Sequence, residues 1–438
     1  MSKRKSKKGG IAILWKSSKY SAVVVHNEKN YLLNTYTGAI GIIDDNLKKT
    51  FQQGVFKETD TAFNQLASNG FIVPECLDEY QKILDNEIAA IYQRSDRLVF
   101  SIATSMQCNY ACKYCFESEV GNQCKKTMSA ETAEQVASYI IKQINPITRK
   151  LVIMWFGGEP LIGYDAICTI SDKLIKECAE KNIEYAGRII TNGFFLTEDR
   201  AKELATKYHV SIAQVTLDGP ADIYEREKNA PNGSYQRVLE NIKRASKYLT
   251  VHIRLNIKKN YYSQLISYTD SLLNSLGKDN SRIKIYLANV YEDWSNESNQ
   301  EIMSNEAYIR QNECFSEHIK KLYPGKLINE PILSYAGLKC GLAKKYNAVI
   351  GAEGELYRCE HLLGRKNQII GSVFEGLYHN LADQRFNSII HPNKCRSCLV
   401  FPICMSGCPL DLLEGKDRID CELYRENVIA SIIKKADK

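Results

Sequence analysis

The chain carries 438 residues, 44% of them hydrophobic and 25% charged, which is too many for one ordinary core, so two or three globular domains are expected. No apolar run approaches the roughly 18 residues of a membrane span, and the opening MSKRKSKKGG lacks the apolar stretch of a secretory signal, so a cytoplasmic protein without a membrane partner is expected. The formal charge is +7, but Lys3, Arg4, Lys5, Lys7 and Lys8 supply five of those charges, so residues 1–10 read as a solvated, disordered basic tail on a nearly neutral body, not as a nucleic-acid footprint.

Residues 11–96 begin with strands. YSAVVVH and NYLLNTY flank a turn at Asn27 to Lys29 and predict a hairpin. ETDTAFNQLASNG predicts a helix from capping chemistry at Thr59 to a stop at Asn69-Gly70, and CLDEYQKILDNEIAAIYQRSD predicts a linking helix. Over residues 97–323 the rhythm becomes short apolar runs alternating with helical stretches. LVFSIATS, KLVIMWFGGEP, GRIITNG, VSIAQVTLDGP, HIRLNI and IKIYLANV predict six strands separated mainly by helices, hence an α/β fold with a parallel sheet or a barrel of β/α units. Residues 324–438 have fewer long helices and most of the remaining clustered cysteines, and NAVIGAEGELYRCE predicts a hairpin turning at Glu353-Gly354.

The stretch SMQCNYACKYCFE sets Cys108, Cys112 and Cys115 at C-x3-C-x2-C. Soft thiolates at short spacing select zinc or iron–sulfur, and a closed zinc site normally has four ligands, so three leave a position open. Disulfides are disfavoured, because the cysteines cluster and the chain is neither small nor marked for secretion. The three follow the first strand of the β/α series, and in such folds chemistry collects at the carboxyl ends of strands. After the second strand comes Gly157-Gly158-Glu159-Pro160, where two glycines allow close backbone approach to a ligand and a carboxylate can pair a cation. Taken alone, Cys395, Cys398, Cys404 and Cys408 would suggest a zinc ribbon. None of the seven histidines recurs at ligand spacing, and all read as ordinary core or surface residues.

The cysteine motif with Tyr114 just before its last thiol, followed by GGEP, resembles the radical S-adenosylmethionine (radical SAM) enzymes. The resemblance implies that Cys108, Cys112 and Cys115 hold a [4Fe-4S] cluster whose fourth iron chelates SAM. Reductive cleavage of SAM then yields a 5′-deoxyadenosyl radical. It further implies that Gly157, Gly158 and Glu159 meet the SAM ammonium, and that Asn192 and Thr216 face its ribose and carboxylate. Lys228, or Arg226 in the same YEREK stretch, would serve as the cation for that carboxylate.

Cys340, Gly354, Cys359, Cys395, Cys398, Cys404, Cys408 and Cys421 match the seven-cysteine SPASM pattern, which implies two auxiliary [4Fe-4S] clusters and three in all. By resemblance Cys395, Cys398, Cys404 and Cys421 hold one, and Cys340, Cys359 and Cys408 the other. The second group is one ligand short, and the eighth is either Cys314 or the thiolate of a substrate. Glu360 stands where similar sulfatase-maturating enzymes carry an Asp that acts as a base.

The leading region resembles that of radical SAM/SPASM maturases of ribosomal peptides, those that form thioethers in particular. The expected fold is thus a partial (β/α)6 TIM-like barrel, preceded by a small α+β, winged-helix-like peptide-recognition domain and followed by a cysteine-rich SPASM domain. The expected partners are a precursor peptide, whose leader binds the N-terminal domain as an added strand, and a flavodoxin- or ferredoxin-like electron donor. The expected activity is crosslinking of a Cys sulfur to a peptide carbon. The alternatives are carbon–carbon cyclisation and formylglycine formation in a sulfatase.

Overall fold

The computed structural model describes residues 14–117, 126–290, 302–328, 334–335, 337–386, 388–416 and 419–437. The basic tail and Cys124 lie outside the described residues.

Strands β1 (Trp15–Ser17), β2 (Ser21–His26), β3 (Lys29–Asn34), β4 (Ile40–Ile43) and β5 (Ile72–Pro74) build the N-terminal unit. β2, β3 and β4 form an antiparallel meander, and β1 pairs antiparallel with β5. The β2–β3 turn is tight because Asn27 and Glu28 both take left-handed backbone, with φ of 46° and 61°. Two helices differ from expectation. The one expected from Thr59 spans only Phe63–Ser68, because the Asp60 carboxylate accepts from the Lys57 amide and closes a turn instead of capping a helix. A helix not foreseen, Asp45–Gln53, runs from an N-cap at Asp44 to a left-handed Gly54 with φ of 70°. The linking helix is Glu79–Tyr92.

Strands β6 (Arg97–Ser105), β7 (Lys150–Gly157), β8 (Glu184–Thr191), β9 (Val210–Thr216), β10 (Thr250–Ile257) and β11 (Ile283–Asn289) occupy the six expected apolar runs. They pair in parallel and in chain order, with helices crossing between them, so the molecule is an α/β protein built on a parallel sheet. Their residues are buried in near-continuous runs, Phe100, Ile102, Leu151, Ile153 and Trp155 among them, as a sheet covered on both faces requires. Short strands β12 (Ala348–Ile350), β13 (Glu355–Tyr357), β14 (Gly371–Ser372) and β15 (Gly376–Leu377) extend the same sheet. β12 lies parallel to β6, so the hairpin at Glu353-Gly354 joins the edge beside the first cysteine loop.

The C-terminal region also packs on the N-terminal unit. Leu33 of β3 is buried with Val400, Ile403, Val428 and Ile432, and Tyr20, Tyr80 and Ile83 are buried with Cys395, Phe401 and Met405. Among the described residues no helix is long and apolar enough to cross a membrane.

Candidate active site

The site lies at the carboxyl ends of β6 to β9. β6 runs directly into the first cysteine loop, and the turn after β7 is clamped to it. The Gly158 amide donates to Ser105 O at 3.0 Å and the Glu159 amide to Gln107 O at 2.8 Å. A Cβ on Gly157 would stand 2.5 Å from Ser105 O, and one on Gly158 2.5 Å from Gln107 O. Gly157 also has φ of 108°. The glycine pair is therefore required by close approach to the protein's own backbone, a reason distinct from the ligand approach that the sequence suggests.

Glu159 is fully buried. Its Oε1 accepts from the Leu161 amide at 3.0 Å and Thr191 Oγ1 at 2.7 Å, and its Oε2 from the Asn192 amide at 2.8 Å. Burial raises its pKa while these three donors oppose that rise. Glu159 thus ties the end of β7 to the end of β8. Asn192 continues the chain of contacts, with Nδ2 at 2.8 Å from Asn109 Oδ1 and 3.8 Å from Cys108 Sγ. Gly157, Gly158, Glu159, Asn192 and Cys108 are accordingly one contiguous group.

The loop is held from the other side by the β9 end. Ala111 and Lys113 amides donate to Lys228 O and Glu227 O. The Tyr114 hydroxyl donates to the Asp218 carboxylate, and Lys228 Nζ lies 2.8 Å from Tyr114 Oη and 3.1 Å from Asp218 Oδ2. Burial is the largest single influence on the Lys228 ammonium and would lower it, but Asp218, Tyr114 and Cys112 together outweigh it and hold the pKa well above the usual value. Lys228 is thus an enclosed ion pair, whereas Arg226 is exposed. Thr216 is half-buried at the end of β9, two residues before Asp218. Tyr114, Asp218 and Lys228 form a triad that residue spacing does not disclose.

The thiols gather in three groups. Cys108, Cys112 and Cys115 interact electrostatically within the first loop. Cys340, Cys359 and Cys408 form a second group, and Cys395, Cys398, Cys404 and Cys421 a third. The third lines a cavity of about 440 Å³ that Cys408 also borders. Cys314 is exposed on helix Asn305–Leu322.

Burial pushes the Cys115 and Cys359 thiols up to about 12, so thiolates there require a compensating cation. Among the described residues no three His, Cys, Asp or Glu side chains converge on a single-ion centre. Groups of three and four clustered thiols are a donor set that fits an iron–sulfur cluster.

The first and second thiol groups meet across a pair of carboxylates. Glu360, next to Cys359, accepts from Ser101 Oγ at 2.6 Å, and Glu117, two residues past Cys115, is buried within its electrostatic reach. Burial first, and Glu360 second, push Glu117 up to about 8. Phe116 and His361 pack alongside with ring centroids 4.4 Å apart. Glu117 was not foreseen, since only the fold brings it to Glu360.

Residues 102–261 match the Radical SAM superfamily profile. Over 347 residues the chain is 22% identical to a cysteine-type anaerobic sulfatase-maturating enzyme of Clostridium novyi, covering 73% of this chain and 91% of that protein. It is 28% identical to the radical SAM cyclopropyl synthase TigE of Paramaledivibacter caminithermalis over 177 residues, 37% of this chain and 36% of TigE. Its fold is similar to that of anSMEcpe with bound AdoMet and Cp18Cys peptide, at TM-score 0.55 and 16% identity, over 78% of this chain and 97% of that one. Streptococcus suis SuiB is similar over 93% of this chain and 96% of its own, at TM-score 0.54 and 17% identity. The matched segment contains the first cysteine loop, the GGEP turn and the Asp218–Lys228 pair: residues 102–261 form a radical SAM superfamily domain.

Proposed function

We propose that the enzyme matures a ribosomally made precursor peptide by joining a Cys sulfur to a peptide carbon as a thioether. The observation that carries this reading is the meeting of the first and second thiol groups across Glu117 and Glu360. It supports radical generation on one side and sulfur chemistry on the other. In this reading Cys108, Cys112 and Cys115 hold the SAM cluster, and the other two groups hold auxiliary [4Fe-4S] clusters. When bound, these groups supply the 5′-deoxyadenosyl radical and an acceptor for the electron released as the bond forms.

The chain's own residues do the rest. Glu159 and Asn192 fix the strand ends that cradle SAM, Thr216 faces the same space, and the Lys228–Asp218 pair anchors the loop through Tyr114. Glu360, steadied by Ser101, takes the proton that leaves the thiol. Per crosslink, one SAM and one electron would be consumed, the C5′–S bond of SAM, one peptide C–H and one S–H would break, one C–S bond would form, and methionine, 5′-deoxyadenosine, a proton and one electron would be released. A flavodoxin- or ferredoxin-like protein provides the electron that starts each cycle.

Peptide recognition falls to residues 11–96. Among the described residues β2 pairs with β3 alone, so its other edge has no strand partner, which supports addition of a peptide strand there, and Val25 on it is 59% exposed. The likeness to SuiB, which extends over 93% of the chain and so includes this unit, supports the reading. The sulfatase-maturating alternative is favoured by the C. novyi likeness and by Glu360 beside Cys359.

Anaerobic turnover with SAM and reductant separates the two. A Cys-bearing precursor peptide should lose two hydrogens per crosslink and lose its alkylatable thiol. Conversion of a sulfatase peptide's Cys to an aldehyde, with the precursor untouched, would overturn the choice.

A further inference from the structure

A buried polar string runs from the linking helix to one cysteine of the third group. Ser406 Oγ donates to Cys395 Sγ at 3.1 Å, His391 Nδ1 lies 2.9 Å from Ser406 Oγ, and His391 Nε2 lies 2.8 Å from Glu87 Oε2. The His391 and Glu87 side chains are only 2% and 10% exposed. A hydroxyl has one hydrogen. Since Ser406 directs it at the sulfur, its oxygen accepts from His391 Nδ1, and the ring's other nitrogen is left to Glu87.

The backbone is shaped for this contact. Met405, Ser406 and Gly407 follow one another in left-handed conformation, with φ of 47°, 58° and 86°. Two of the three are not glycine, and such residues persist only where the surroundings enforce them. Here the Met405 amide donates to Phe401 O at 2.8 Å and the Gly407 amide to Cys404 O at 2.9 Å, which aims the Ser406 hydroxyl back at Cys395. The N-terminal unit completes the enclosure, with Tyr20, Tyr80 and Ile83 buried against Cys395 and Phe401. An apolar contact would staple the helix as well at less desolvation, so a satisfied polar string ending on a sulfur points to that sulfur.

We propose that Ser406, His391 and Glu87 are positioning residues that set the reduction potential of the cluster held by Cys395, Cys398, Cys404 and Cys421, and that they link it to the peptide-recognition unit through the helix that carries Glu87. This rests on the reading that those four thiols hold a cluster. Reduction adds negative charge to the thiolate-bound iron, and a donor on sulfur favours the more negative state. Removing the donor therefore lowers the potential.

The test is a mediated redox titration of the reconstituted full-length protein followed by electron paramagnetic resonance, with iron counted in parallel. Ser406→Gly removes the hydroxyl while suiting the left-handed backbone. It should leave iron content unchanged and reduce the ratio of reduced to oxidised cluster at a fixed potential by about tenfold, a shift of about 59 mV for one electron. Glu87→Gln, remote from the sulfur, should move the same signal in the same direction by about twofold to threefold, through its weaker hold on His391. A fully loaded Ser406→Gly protein within twofold of the parent would overturn the inference and leave the string as a structural staple. If that variant fails to load, a loaded Glu87→Gln protein with an unmoved potential overturns it equally. Cys395→Ala should lose about four irons; if it loses none, the cluster reading itself fails and the inference with it.

Discussion

Glu159→Gln tests whether the GGEP carboxylate first serves the fold. The side chain is fully buried and accepts three hydrogen bonds at 2.7–3.0 Å. A carboxamide can keep Leu161 and Thr191 on its oxygen but then turns an N–H toward the Asn192 amide, so one charge-assisted bond is lost and a buried donor is left without an acceptor. Bonds to charged groups contribute about 1.5–3 kcal/mol and an unsatisfied buried donor costs about 1–3 kcal/mol. The relief of burying a neutral group offsets part of this, because burial already opposes the ionised Glu159. A local loss of about 2–4 kcal/mol remains. Hydrogen–deuterium exchange at the Asn192 amide should accelerate by about 30- to 700-fold, since 1.4 kcal/mol is a factor of ten. Exchange within threefold of the parent, with SAM affinity greatly weakened, would refute the reasoning and make Glu159 a ligand to the cofactor alone.

Gly158→Ala drives a Cβ to 2.5 Å from Gln107 O and 2.8 Å from Gln107 C, an overpacking cost of about 1–3 kcal/mol that falls on the first cysteine loop; iron analysis should find the first cluster depleted and the other iron retained, and full loading would contradict this. Lys228→Met leaves Asp218 buried without its cation and should cost about 3–5 kcal/mol in chemical denaturation, with Lys228→Met/Asp218→Leu recovering at least half of it. Val25→Asp should change stability by less than about 0.5 kcal/mol yet weaken precursor binding at least tenfold by fluorescence anisotropy; unchanged affinity would remove the β2 edge as the recognition surface. A point substitution is the cleaner probe here, because deleting the N-terminal unit would uncover Val400, Ile403, Val428 and Ile432.

Local chemistry made the parallel strands legible, because β-branched and aromatic runs such as KLVIMWFG and VSIAQVT must be buried on both faces and leave few alternatives. The helix Asp45–Gln53 was missed although Asp44 and Gly54 bracket it as cap and stop, because its run is mostly polar. Pairings between distant segments were not legible. Nothing in AVI at 348–350 announces a partner in β6, and no spacing relates Glu117 to Glu360 or Glu87 to His391. His391, which reads as an ordinary histidine, gains its role only when three separate segments fold together. The Gly157-Gly158 pair was legible as a close approach, but its partner, the backbone at Ser105 to Gln107, follows from the β6–β7 register.

In the proposed reaction, a radical made at the first cysteine loop takes hydrogen from a carbon of the precursor peptide. The most direct measurement is the mass of 5′-deoxyadenosine after turnover of a precursor deuterated at the acceptor carbon. One deuterium is expected in the nucleoside for each crosslink formed, and none when Cys108, Cys112 and Cys115 are replaced by Ala. Unlabelled 5′-deoxyadenosine accompanying a fully crosslinked peptide would contradict it.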